Sequence, residues 1–162
     1  MIPVQIADYL REHKVHFEHR LHRRTVAAQR LAAAEHTPGA KVAKVVVVRA
    51  DGGLALAVVS ASQHLDLDRM RAALGARSVS LAPEEAFAER FLPCEAGAEP
   101  ALGMFGLPIY VDSRLALEPR ILMRAGTHED AVELETDDWL LAERVRIVDG
   151  LGQGEGDSTH RA

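Results

Sequence analysis

Residues 42–59 read Val42-Ala43-Lys44-Val45-Val46-Val47-Val48-Arg49-Ala50-Asp51-Gly52-Gly53-Leu54-Ala55-Leu56-Ala57-Val58-Val59, two apolar runs on either side of an Asp-Gly-Gly turn. β-Branched side chains favour extended backbone and the glycines permit a tight reversal, so the stretch predicts an antiparallel hairpin with strands over 42–49 and 54–59. Alternation places Val45 and Val47 on one face and Lys44, Val46 and Val48 on the other. Lys44 is then an ammonium on an otherwise apolar face. Burying it unpaired would be costly, so it must reach solvent, a carboxylate or an anionic ligand.

Towards the N-terminus, Pro3 and the apolar residues Val4, Ile6, Ala7 and Leu10 predict an amphipathic helix running to about Glu12. Val15, Phe17, His19 and Leu21 then alternate with polar residues, the period of a half-buried strand. Thr25 is placed to cap a second, alanine-rich helix that Pro38-Gly39 ends. Towards the C-terminus, Asp66 opens a helix that Gly75 closes after Leu74, and Pro83-Glu84-Glu85 has the chemistry of another helix start. Residues 93–107 carry two prolines and three glycines besides Cys94 and predict a loop whose backbone is itself shaped. Strands are expected at 109–111, 121–124 and 131–134, followed by a short helix entered at Thr136. Hairpins interspersed with helices, without regular strand-helix alternation, predict an α+β fold: a largely antiparallel mixed sheet, or barrel-like sheet, with surrounding helices. The expected organisation is one domain over residues 1–149 and a disordered, Gly-rich tail over 150–162.

Composition removes several classes of function. No apolar run approaches the roughly 20 residues of a membrane span and the N-terminus lacks the pattern of a signal peptide, so a cytoplasmic protein with no membrane partner is expected. Cys94 is the single cysteine and forms no internal disulfide. Neither a P-loop nor a dinucleotide-binding glycine pattern is present. The net charge of -5 conceals an asymmetry, since residues 1–50 hold nine Lys and Arg against four Asp and Glu, and the remainder ten against twenty. One basic region on an acidic chain is the footprint of a protein that meets phosphate on one side. His13, His16, His19 and His22 recur every three residues, but strand geometry sends His16 and His22 to one face and His19 to the other, which disfavours a metal site. Cys94 with His128 is a weak nucleophile-base pair on sequence grounds.

The ordered set of His22, Thr25 opening an Ala-rich helix, Val42-Ala43-Lys44-Val45-Val46-Val47, Gly97-Ala98-Glu99-Pro100-Ala101-Leu102-Gly103, Gly106-Leu107-Pro108-Ile109-Tyr110-Val111-Asp112 and Ala125-Gly126-Thr127-His128 resembles the YbaK/ProX family of aminoacyl-tRNA editing deacylases, which includes the editing domain inserted in bacterial prolyl-tRNA synthetases. The resemblance covers about residues 15–148. It implies hydrolysis, in trans, of the ester joining a small mischarged amino acid to tRNA, with Lys44 as the principal catalytic residue and with no metal, cofactor or protein nucleophile. It further implies a substrate pocket from His22, Thr25, Gly97, Ala98, Gly103, Gly126, Thr127 and His128. Arg20, Arg23, Arg24, Arg30 and Lys41 are the residues expected to meet tRNA, and an aminoacyl-tRNA synthetase is a further expected partner. The alternative is a catalytically inactive tRNA- or synthetase-binding module of the same fold.

Overall fold

The computed structural model describes residues 1–25 and 27–154, with Gln29 described by its backbone alone. The hairpin read from residues 42–59 is present as β2 (Ala43–Ala50) and β3 (Gly53–Ser60), paired antiparallel from Ala43 opposite Ser60 to Ala50 opposite Gly53. It forms the centre of a five-stranded sheet ordered β5-β2-β3-β6-β9, where β5 is Val79–Leu81, β6 is Ile109–Asp112 and β9 is Arg146–Val148. The β3–β6 and β6–β9 pairs are parallel, so the sheet is mixed. Each needs a crossover, which hairpin signals in the sequence do not report.

A second sheet is ordered β1-β8-β7, from Phe17–Leu21, Asp130–Glu135 and Arg120–Arg124. A parallel bridge between Val42 and Leu122 joins the two sheets along one side. Ala43, Val45 and Val47 face the main core between the sheets with Ile6 and Leu10 of α1 (Val4–Glu12), whereas Val46 and Val48 pack with Met70 of α3 (Leu67–Leu74). Both faces of β2 are therefore covered, which explains its unbroken apolar run. The α2 helix (Ala28–Ala34) packs Leu31 and Ala32 against Val42, Leu122 and Ala131.

Local signals in the sequence are met closely around α3, where Asp66 accepts from the Arg69 amide at 3.1 Å and Gly75 ends the helix in the left-handed region at φ 65°. Elsewhere tertiary demands prevail. Thr25 does not cap α2: Ala27 is the N-cap, without a side-chain cap bond, and the Thr25 hydroxyl accepts from Arg124 instead. Pro83-Glu84-Glu85 opens only a 3-10 turn (Glu84–Ala86), followed by another (Ala88–Phe91) that places Phe91 edge-on to Phe87 in the core. In β1 the half-buried alternation stops after Phe17, and Leu21 is 70% exposed on this edge strand.

The chain after Gly150 departs from the expected disorder as far as it is described. Leu151 is fully buried, and β10 (Gly152–Gly154) pairs with β4 (Gln63–Leu65). Backbone pairing and one apolar anchor outweigh the polar, glycine-rich composition there. Residues 155–162 lie outside the described residues. Two further helices, α4 (Ser113–Ala116) and α5 (Thr136–Ala142), follow β6 and β8. Among the described residues no helix is long and apolar enough to cross a membrane.

Candidate functional site

Three segments distant in sequence meet at the end of β7. Gly126 donates its amide to the Ala98 carbonyl at 2.9 Å and accepts from the Glu95 amide at 2.8 Å, so the 93–107 loop is stitched to the β7–β8 turn like a short ladder. Gly126 sits at φ 95°, and a Cβ there would lie 2.9 Å from Pro3 and Ile6 of the N-terminal helix. Glycine is required at 126 by conformation and by space together. Gly97, at φ 85°, donates to Oε1 of Glu99 at 3.0 Å and has His128 Cε1 3.3 Å from the position of a Cβ.

His128 is buried and binds all three segments. Its ring nitrogens lie 3.1 Å from the Thr25 carbonyl and 2.7 Å from the Ala96 carbonyl, and its amide donates to Oε1 of Glu95 at 2.8 Å. Behind it, Arg124 is only 5% exposed and donates to the Thr25 hydroxyl at 2.9 Å, the Ala27 carbonyl at 3.3 Å and the His128 carbonyl at 3.3 Å. All these acceptors are neutral. Burial lowers the guanidinium pKa to about 10, while its fork geometry lets one side chain satisfy several oxygens. At the rim, Arg24, 2.9 Å away, and then the His128 amide hold the Glu95 carboxyl below the usual range. Arg124 and Glu95 stand beside the glycine motifs in the sequence but are not among the pocket residues that the resemblance implies. Nothing distinguishes Arg124 from other arginines in a linear pattern, because two of the three oxygens it donates to lie 97 and 99 residues away.

The remaining candidates divide. Thr25, Gly97, Ala98, Gly126 and His128 converge as described. Thr127 points away into its own turn, donating from Oγ1 to Asp130 Oδ2 at 2.5 Å and accepting from the Asp130 amide at 3.1 Å. His22 borders the cluster: its amide bonds the Glu129 carbonyl at 2.9 Å and Nδ1 faces the Arg23 carbonyl at 2.6 Å, while Nε2 is buried without a partner among the described residues. Lys44 is half-buried on the face of β2 that carries Val46 and Val48, and its ammonium donates to the Gln63 carbonyl in β4. Residues 98–102 are buried as whole residues, so solvent reaches the 97–103 loop at its two ends, Gly97 exposed and Gly103 half-buried.

The basic residues are less uniform than their count suggests. Arg20 is engaged by Glu18 and Glu133 and Arg24 by Glu95 and Glu129, whereas Arg23, Arg30 and Lys41 are exposed. Acidic residues of β8 and its preceding turn thus interleave with the basic N-terminal segment. The spaced histidines separate as well, with His16 on Asp138 at 2.6 Å and His19 on Asp130 at 2.5 Å. Cys94 is buried, and its thiol is pushed up to about 12 by burial and by Glu99, a state that opposes a nucleophilic role.

Solved structures share this architecture. A candidate trans-editing enzyme for prolyl-tRNA synthetase matches with a TM-score of 0.79 at 22% identity, over 93% of this chain and 96% of its own. A hypothetical protein, APE2540, matches with a TM-score of 0.82 at 15% identity, over 92% of this chain and 99% of its own. At such identities the likeness is one of fold. No curated protein matches the chain in sequence. Residues 22–141, most of the chain and all of the converging segments from Thr25 to His128, match the aminoacyl-tRNA editing domain, and the chain belongs to that family.

Proposed function

We propose that this chain is a trans-acting aminoacyl-tRNA deacylase that removes a small mischarged amino acid from tRNA in the cytoplasm. The observation that carries the reading is the family match over residues 22–141, within which Thr25, Gly97, Gly126 and His128 form one bonded cluster. In the proposed reaction a water oxygen bonds to the ester carbonyl carbon, the bond from that carbon to the ribose oxygen breaks, and the ribose oxygen leaves with a proton. An aminoacyl ester is already activated, so fixed backbone dipoles at the developing oxyanion supply much of the required stabilisation; one such donor is typically worth roughly 3 kcal/mol. Lys44 is assigned to the substrate, holding the terminal nucleotide or the developing charge. His22, Thr25, Gly97, Ala98, Gly103, Gly126 and His128 shape the pocket, with Thr127 acting through its turn. Arg23, Arg30 and Lys41 are the first tRNA contacts, since Arg20 and Arg24 must first leave carboxylates.

The test is hydrolysis of a panel of mischarged tRNAs by the wild-type chain and by Lys44→Ala, with circular dichroism to verify the fold. The expected outcome is turnover by the wild type and a loss of at least about 100-fold on removing the lysine, the scale of one transition-state contact. Binding of tRNA without turnover of any ester would establish the inactive binding module instead. Near-wild-type turnover by Lys44→Ala would remove that residue from the mechanism.

A further inference from the structure

The 97–103 loop is held at its start by Gly126 and His128, and its far end is held by a different element. Trp139 of α5, fully buried, donates its indole N–H to the Ala101 carbonyl at 2.8 Å, while the Ala101 amide faces the Met123 sulfur at 3.3 Å. One turn further, Glu143 accepts from the Gly103 amide at 2.5 Å and from the Tyr9 hydroxyl of α1 at 2.9 Å through the same carboxylate oxygen. The other oxygen is buried without a partner among the described residues.

This clamp also explains Gly103, which needs no left-handed conformation. A Cβ at 103 would stand 2.5 Å from Glu143 Oε2 and 3.1 Å from the Tyr9 hydroxyl, so glycine is present because the carboxylate occupies the space. A half-buried carboxylate is costly to desolvate, and a hydrophobic residue would fill the same gap with less penalty. What the carboxylate adds is a fixed acceptor for one backbone amide and one hydroxyl, tying the loop end to two helices.

We propose that Glu143 is a positioning residue for the pocket: together with Tyr9 and Trp139 it sets the path of residues 101–103 and thereby the selectivity of the loop for the aminoacyl group. The inference rests on the reading of the loop as a pocket wall in an editing enzyme. Glu143 and Tyr9 both lie outside the matched segment 22–141, so the family match does not assign them. The link to selectivity is geometric, because displacement by about 1 Å can cost 100-fold in rate when the displaced groups orient the reacting centre.

The experiment uses the full chain with Glu143→Gln, Glu143→Ala and Gly103→Ala. Glutamine keeps an acceptor of the same reach, so Glu143→Gln is expected to stay within about 2-fold of wild type in kcat and in the rate ratio between two mischarged tRNAs differing by one methylene. Glu143→Ala is expected to lower kcat about 10-fold or more and compress that ratio at least about 5-fold, out of the roughly 10- to 200-fold that one methylene can provide, with KM for tRNA unchanged. If Glu143→Ala does not fold, Gly103→Ala tests the same contact by forcing the carboxylate away, and the same loss with unchanged KM is expected. In parallel, the Gly103 amide proton is followed by NMR as pH rises. It should titrate with Glu143 in the wild type and not in Glu143→Gln; Tyr9 and His13, which stacks on Tyr9 at 3.9 Å, are the other titratable groups facing the carboxyl. A Gly103 resonance insensitive to Glu143, or an alanine variant with wild-type kcat and rate ratio, overturns the inference. Failure of the wild type to hydrolyse any ester overturns the editing reading instead, and the Gly103 resonance still decides whether the clamp exists.

Discussion

Replacing Gly126 by alanine perturbs conformation and packing at one point, and the two contributions can be separated. An L-residue in the left-handed region costs about 1–2 kcal/mol, and Gly126 has φ 95°. The added methyl would meet Ile6 Cδ1, Pro3 Cδ and Pro3 Cγ, each at 2.9 Å. The isoleucine tip can rotate aside, but the proline ring is fixed to the start of α1, so the helix must shift at a further cost of about 1–3 kcal/mol. The sum is about 3 kcal/mol, which for a domain of this size lowers Tm by roughly 6–12 °C. Thermal and urea unfolding followed by far-UV circular dichroism measure it. In a Pro3→Ala, Ile6→Val background all three close atoms are gone, and the penalty of Gly126→Ala should fall to the conformational part alone, about 1–2 kcal/mol. An equal penalty in both backgrounds would refute the packing argument, and a penalty below about 0.5 kcal/mol in the wild-type background would refute both parts. Because the Gly126 amide and carbonyl bond to Ala98 and Glu95, the same substitution should also reduce deacylation.

Arg124→Met removes the donor shared by Thr25, Ala27 and His128 and is expected to destabilise by about 2–4 kcal/mol, the cost of leaving buried acceptors unsatisfied, with faster hydrogen exchange at the Thr25 amide; an unchanged urea midpoint would contradict this. Burial raises the Glu143 carboxyl above its ordinary 4.5 despite the bonds from Gly103 and Tyr9. The folded state thus keeps this proton to higher pH than the unfolded chain, so the contribution is full below 4.5 and is lost as pH rises through the folded pKa. Glu143→Gln should flatten that decline in urea midpoints measured between pH 4 and 8, and an unaltered slope would show that another group is responsible. Arg23→Glu should weaken all tRNAs alike and reduce the dependence of log affinity on log salt by about one unit, whereas Arg20→Glu should do less because Arg20 is already paired; equal effects would show that the ion pairs do not limit binding.

The parts legible in the sequence are those decided locally. The hairpin over 42–59 and the capped helix α3 follow from propensity, period and caps within a few residues, and both appear nearly as read. Parallel pairing of β3 with β6 and of β6 with β9 was not legible, because it depends on crossovers between segments about 53 and 36 residues apart. Thr25 shows how a sound local rule is overridden. A helix cap is worth about 1 kcal/mol, whereas a buried guanidinium left without its acceptors costs more, and the hydroxyl goes to Arg124. The tail failed for the opposite reason: composition argued for disorder, but burial of Leu151 and pairing of β10 with β4 hold the chain through Gly154.

The glycine loop carries this reasoning to function. The resemblance implies a pocket that includes Gly97, Ala98 and Gly103, yet residues 98–102 are buried as whole residues. Gly97 and Gly103, at the two ends, are what the loop leaves accessible, and with no side chain they can discriminate only by position. Their position is set by residues outside the loop motif: Gly126 wedged beneath Pro3 and Ile6, His128 and Arg124 holding Thr25 and Ala27, and Trp139 and Glu143 gripping residues 101 and 103. A pocket of this kind keeps its motif while its selectivity drifts with the packing behind it. Two members of the family with the same loop sequence but different residues at the positions of Glu143 and Tyr9 should then differ in the aminoacyl group they remove, and exchanging those two residues should exchange the preference.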